Sequence, residues 1–227
     1  MKLRNQIKLH LRRYWHRVYP YTALNGLDKK MLRYLTNTSG FFIEAGANDG
    51  VRYSNTYFLE KRRNWTGILV EPIPSRAIEC RRNRKSVVEE FVLVPQKLSG
   101  SQIELMDLDL MSLVLEQSSG HRDQQQHIHD AEKVQGLRGQ KVFAVGIAIS
   151  ELIQKHGNPQ IDFFSLDVEG YEIDVLGGLD LNLHKPLFIL IETHNLDGVR
   201  ELLGELYDVI ETFSTHDYLF KLKSGSK

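Results

Sequence analysis

From residue 41 onward the chain alternates short apolar runs with segments of helical spacing. The runs at 41–45, 67–71, 90–94, 142–148, 162–166 and 187–192 have the length of strands. Most are apolar throughout rather than alternating, the pattern of strands covered on both faces. Between them, 55–63, 75–83, 150–156, 171–176 and 198–206 carry apolar residues at helical spacing. Ser75 and Ser150 are candidate N-caps, and Gly157 and the pair Gly177-Gly178 are candidate stops. This βα alternation predicts an α/β fold with a doubly wound, mainly parallel sheet. Two final runs, 207–213 and 218–223, flank Ser214-Thr215-His216-Asp217 and predict an antiparallel hairpin at one edge.

Two segments break the alternation. Residues 118–141 are polar, rich in glutamine and histidine, and without a sustained period. They read as a surface excursion or as a mobile loop or lid over a cleft. Near the N-terminus, Leu3, Ile7, Leu11, Tyr14 and Val18 recur at steps of four and three, and Pro20 stops the helix they predict. Lys2, Arg4, Lys8, Arg12, Arg13 and Arg17 all precede the first acidic residue, Asp28. The division expected is a basic amphipathic helical extension over 1–39 and one domain over 40–227. The helix either docks on that domain with a solvated basic face or makes peripheral contact with an anionic membrane through residues 1–20.

Composition narrows the partners. Twenty-nine basic and twenty-nine acidic residues balance, so no nucleic-acid partner is expected. A single cysteine, Cys80, excludes an intrachain disulfide and suits a reducing cytoplasm. No apolar run is long enough to span a bilayer, and a cytoplasmic protein is expected, with membrane association through the basic terminus as the variant. His121, His127 and His129 lack partners at a zinc-ligand spacing.

The chemistry gathers at the ends of the predicted strands. Phe41-Phe42-Ile43 runs into Glu44-Ala45-Gly46-Ala47-Asn48-Asp49-Gly50, an acid followed by a glycine turn that brings bare backbone to a nucleotide-like ligand. Glu44 is awkward beside a phosphate and apt for an ammonium, which favours an amino-acid-bearing nucleoside over a dinucleotide. Glu71, closing Gly67-Ile68-Leu69-Val70 before Pro72, is placed to accept hydrogen bonds from ribose hydroxyls. Asp167, Glu169 and Glu172 follow Phe163-Phe164-Ser165-Leu166 and could raise a pKa or collect a divalent cation such as Mg2+, with Asp167 and Glu169 the candidate ligands. His194, after the run 187–192, is a candidate general base or metal ligand.

At these residues the sequence resembles the FkbM-type family of S-adenosylmethionine-dependent methyltransferases. The resemblance covers residues 40 to 222 and rests on four ordered motifs: Glu44 to Gly50, Ser54-Asn55-Thr56-Tyr57-Phe58-Leu59-Glu60, Ile68 to Pro72, and Asp162 to Glu172. It implies the class I methyltransferase fold, a Rossmann-like, mainly parallel seven-stranded sheet with a C-terminal antiparallel hairpin. It implies an O-methyltransferase whose cofactor is S-adenosyl-L-methionine and whose acceptor is a hydroxyl of a sugar, glycan or secondary metabolite. By the same resemblance Gly46, Ala47, Asn48, Asp49 and Gly50 would hold the methionine part, with Glu44 near its amine and Asn55 close by. Glu71 and Pro72 would take the ribose, and Leu98 and Ser99, in the segment after the third strand, would lie by the adenine. Asp167 and Glu169 would sit at the methyl-transfer end, with Asp167 or His194 accepting the acceptor's proton. The wider fold usually carries glycine where Asn48 stands. Two other classes stay open at this stage: a non-catalytic binding protein on the same fold, and an NAD-dependent oxidoreductase, for which a Gly-x-Gly-x-x-Gly is missing.

Overall fold

The computed structural model describes residues 19–107, 113–114 and 140–225. The N-terminal helix expected before residue 18 and nearly all of 118–141 lie outside those residues.

The most apolar run becomes the centre of the molecule. Strand β1 (Phe41–Ala45) is flanked on one side by β2 (Thr66–Val70) and on the other by β8 (Phe163–Leu166), both parallel to it. Beyond β2 lies the short β3 (Val87–Glu89), and beyond β8 lies β9 (Phe188–Glu192), again parallel. The edge is closed by β11 (Asp217–Leu222), antiparallel to β9, and then by β10 (Tyr207–Thr212), antiparallel to β11. The order β3-β2-β1-β8-β9-β11-β10 is the mainly parallel seven-stranded sheet with its C-terminal hairpin, as expected.

Alternation along β1 sends Phe42 to one face and Ile43 to the other, and both are fully buried. On the Phe42 side the core takes in Met31, Leu59, Ala77 and Cys80. These come from helices α1 (Leu27–Met31), α2 (Tyr57–Arg62) and α3 (Pro74–Asn83). On the Ile43 side it takes in Leu152, Val175 and Val199, from α4 (Ile149–Lys155), α5 (Glu172–Leu176) and α6 (Leu196–Leu203). Residues 19–39 are part of this packing, since Leu27, Met31 and Leu35 are buried.

Two expected strands are placed differently. The run at 142–148 does not join the main sheet. As β7 (Gln140–Ile147) it pairs antiparallel with β5 (Gln102–Asp107) in a second, four-stranded sheet that includes β4 (Val92–Leu93) and β6 (Leu113–Val114). Its apolar character is two-sided but its burial is one-sided: Phe143 is 61% exposed, while Val142 and Ala144 pack on the core. The expected strand at 90–94 divides. The main sheet takes 87–89, and Val92 and Leu93 cross to pair with β7. Nor do the expected caps form: Ile73 and Ala148 occupy the N-cap positions, and Pro74 opens α3. Ser150 Oγ instead accepts from the Asp180 N–H at 2.7 Å.

Candidate functional site

Strand order reverses between β1 and β8, so the loops leaving their carboxyl ends diverge and open a crevice. The hairpin adds to the same edge. Because β11 runs antiparallel, its first residue, Asp217, pairs with the last of β9, Glu192. A cavity of about 360 Å³ lies there, large enough for a nucleoside-sized ligand.

Its floor is the glycine turn. Gly46 has φ +81°, and a Cβ on it would stand 1.9 Å from the Asp167 carbonyl oxygen, so the close approach of β1 to β8 requires glycine. Asn48 adopts φ +45°, the left-handed region that asparagine tolerates best after glycine, which explains its standing where the wider fold has glycine. The N–H groups of Gly46 and Ala47 both donate to the Val70 carbonyl at 3.1 Å. That of Asn48 donates to Glu71 Oε2 at 2.8 Å, and that of Ile73 to Oε1 at 2.9 Å. Glu71 thus ties the turn to the end of β2, and burial pushes its carboxyl up to about 7 against these lowering hydrogen bonds.

Glu44 is placed elsewhere. Two residues from Phe42, it shares that residue's face and points toward α2 and α3 rather than into the cavity. Its Oε1 accepts from the Asn55 N–H at 2.8 Å, and its Oε2 from Ser54 Oγ at 2.8 Å and Thr56 Oγ1 at 2.6 Å. Arg84 completes the set, with Nη1 3.4 Å from Glu44 Oε2 and Nε 3.2 Å from Glu60 Oε2. The position expected beside an amine is therefore an internal brace that shapes the loop over 54–56. Ala47, Asp49 and Gly50 also stand behind the cavity wall; Asp49 Oδ1 accepts from the N–H groups of Val51 and Arg52 and closes the turn locally. Of the expected donor-site residues, Gly46, Asn48, Asn55, Glu71, Pro72 and Asp167 line the cavity.

Leu98 and Ser99 do not. Leu98 packs against the core, and Ser99 Oγ engages Glu151 and accepts from the Ala148 N–H at 3.3 Å. Because the main-sheet strand ends at Glu89, the residues that follow it into the cavity are Phe91, Val92 and Leu93, joined by Leu105 and Val114 from the second sheet. They form an apolar wall in the same cavity as Glu71.

Opposite in character is the acidic wall of Asp167, Glu169, Glu192 and Asp217. Burial first, then repulsion from Glu192, Glu169, Glu172 and Asp217, holds the Asp167 carboxyl well above the usual carboxylate range. Glu172 accepts from the N–H groups of Gly170 (2.8 Å) and Val168 (3.3 Å), and burial still pushes it to about 7. Glu169 has φ +56° beside Gly170 at +99°, which turns the chain sharply after β8. Beside the expected pair of Asp167 and Glu169, Glu192, His216 and Asp217 could also hold a cation, since their ligand atoms all lie within 4.8 Å of one another. His216 Nε2 is 3.9 Å from Glu192 Oε1 and 3.8 Å from Asp217 Oδ2. His194 is exposed and outside the cavity lining, its ring centroid 5.6 Å from that of His216. The sequence reads His216 and Asp217 only as turn residues; the antiparallel return of β11 brings Asp217 to the cavity and His216 beside Glu192.

Asn55 lines the cavity with one side-chain atom unsatisfied. Its Nδ2 donates to Ser165 Oγ at 3.1 Å, while its Oδ1 is buried without a hydrogen-bond partner among the described residues. Such a group costs free energy until a donor reaches it.

The model of the methyltransferase FkbM domain matches residues 44–222, which span the glycine turn, the acidic wall and the closing hairpin. No curated protein matches the chain. No helix among the described residues is long and apolar enough to cross a membrane.

Proposed function

The chain belongs to the FkbM methyltransferase family and is a methyltransferase, and from that premise we propose that it methylates a hydroxyl oxygen, with S-adenosyl-L-methionine as donor. The observation that carries the choice of donor is the unpartnered Asn55 Oδ1 in a cavity that also holds Glu71 and an apolar wall. A cationic, ribose-bearing molecule answers each of these. The ammonium group would donate to Asn55 Oδ1. Each Glu71 oxygen accepts one backbone N–H and keeps capacity for a ribose hydroxyl. Phe91, Val92 and Leu93 offer an adenine its apolar surface. A dinucleotide suits the site poorly, because its pyrophosphate would face carboxylates.

Bound S-adenosylmethionine supplies the electrophilic methyl group, so the protein is left with orientation, exclusion of water and proton removal. Asp167 is the group for the last of these. Its raised affinity for a proton makes it a stronger base than an ordinary carboxylate, as taking a proton from an acceptor hydroxyl requires. The crowding of Glu192 and Asp217 around it maintains that affinity. Sugars, glycans and hydroxylated secondary metabolites are the acceptors this reading covers.

Calorimetric titration of the full chain with S-adenosylmethionine and with NAD tests the donor. Binding of the first and not of the second is expected; the reverse would overturn the reading. Transfer of labelled methyl to a host-cell extract then tests turnover, and the labelled product should be an ether stable to mild base.

A further inference from the structure

We infer that Tyr53 recognises the acceptor, serving as an aromatic platform for the ring of an uncharged or cationic sugar. The inference rests on the methyl-donor reading and extends it to the other substrate.

Tyr53 has φ +62°, a conformation that costs a non-glycine residue about 1–2 kcal/mol. Its side chain returns little of that. The residue is 47% exposed, and its hydroxyl has no hydrogen-bond partner among the described residues. The backbone, by contrast, is held firmly. The Tyr53 N–H donates to the Thr22 carbonyl at 3.1 Å, and Ala23 and Tyr53 form a parallel bridge. Thr22 Oγ1 donates to the Ser54 carbonyl at 3.2 Å. Buried Asp28 anchors the partner segment by accepting from the N–H groups of Thr22 (2.7 Å) and Ala23 (3.2 Å). The net effect of these bonds is to present a strained, half-exposed phenol ring at the cavity, beside Leu24 and Asn25. Strain maintained where a side chain has no internal use is the mark of a position kept for a ligand.

The lining states what kind of ligand. An aromatic face takes the C–H face of a saturated ring, and the phenol oxygen and the carboxylates accept from hydroxyl groups. Glu169, Glu192 and Asp217 repel an anion, and Arg52 is the sole basic residue among the described lining. A neutral glycoside or an amino sugar fits; a uronic acid or a sugar phosphate does not.

The test uses the full chain saturated with S-adenosylhomocysteine and three probes: methyl α-D-glucopyranoside, methyl α-D-glucosaminide and methyl α-D-glucuronide. Binding is followed by saturation-transfer NMR. The first two should bind, with the glucuronide at least about tenfold weaker. Tyr53→Phe should keep binding within about threefold, and Tyr53→Ala should lose about tenfold. Neither should alter the Kd for S-adenosylhomocysteine. Tyr53→Gly relieves the left-handed strain and should leave Tm unchanged or raised while losing the glycoside, whereas a merely structural tyrosine would lower Tm. Absence of glycoside binding, equal binding of the glucuronide, or full affinity in Tyr53→Ala would overturn the inference. Failure of S-adenosylhomocysteine itself to bind would overturn the donor reading, and this inference with it.

Discussion

Arg84→Met should be among the most damaging single substitutions in the domain, although Arg84 touches no part of the cavity. Its side chain is fully buried between two carboxylates that are themselves 4–5% exposed, Glu44 and Glu60. It also donates to the Gly50 carbonyl at 2.9 Å, to Ser54 Oγ at 3.1 Å and to Thr56 Oγ1 at 2.8 Å. Each ion pair at this separation is worth about 5 kcal/mol at an effective dielectric of 20, before desolvation is subtracted. Methionine keeps the volume but takes the guanidinium from two buried carboxylates, a loss of about 3–5 kcal/mol even with Lys61 still beside Glu60. That is a large share of the roughly 5–15 kcal/mol that holds a domain together, and it corresponds to a fall in Tm of about 6–20 °C.

The pH dependence gives the prediction its sharper form. Burial would raise Glu60, but Arg84, Ser86 and Lys61 outweigh it and hold the carboxyl at about 2, against 4.5 in the unfolded chain. Depression of the folded value means that Glu60 contributes its full stabilisation above about 4.5 and loses it as pH falls toward 2, in total roughly 2 kcal/mol after allowing for solvent screening. In Arg84→Met the largest of these lowering influences is gone, the folded value rises, and the contribution of Glu60 shrinks. The gap between wild type and variant should therefore widen from pH 3 to pH 7. Urea denaturation at pH 3, 5 and 7, followed by fluorescence of buried Trp65, measures it. A loss under about 1 kcal/mol at pH 7, or a gap independent of pH, would refute the reasoning. Glu60→Gln in the Arg84→Met background should recover part of the loss by removing one stranded charge.

Other outcomes follow from the cavity itself. Glu71→Gln should weaken S-adenosylmethionine about tenfold or more; in the wild type, affinity should rise between pH 6 and pH 8 as Glu71 ionises about its value near 7, and this slope should vanish in the variant, as calorimetry at several pH values would show. Asp167→Asn should lower kcat by about 10²–10⁴-fold in a labelled-methyl assay while leaving donor Kd within about threefold. Gly46→Ala forces a Cβ against the Asp167 carbonyl at 1.9 Å in a left-handed backbone, and should cost more than about 3 kcal/mol by thermal denaturation.

The central strands were legible because they are buried on both faces, and an unbroken apolar run admits few other readings. Run length alone could not divide 87–93 between two sheets, and it misread 142–148, where Phe143 and Val145 are apolar yet face solvent. For Glu44 a usable signal was present. The alternation that buries Ile43 and Ala45 on one side puts Glu44 with Phe42 on the other, away from the crevice. Glu71 and Asp167 read correctly as crevice residues because they stand just past strand ends, where side chains of either face can reach the edge. His216 and Asp217 depend on the direction of β11, and Arg84 on a pairing forty residues away in the chain. Local pattern carries neither.

The bridge between Ala23 and Tyr53 has one more consequence. Leu24, Asn25 and Leu27 line the cavity but precede residue 44, where the family match begins. Part of the cavity wall therefore lies outside the matched domain and is tied to it by a handful of backbone bonds. Such a seam lets that stretch of wall be reshaped at Leu24, Asn25 and Leu27 while the glycine turn and the acidic wall stay in place.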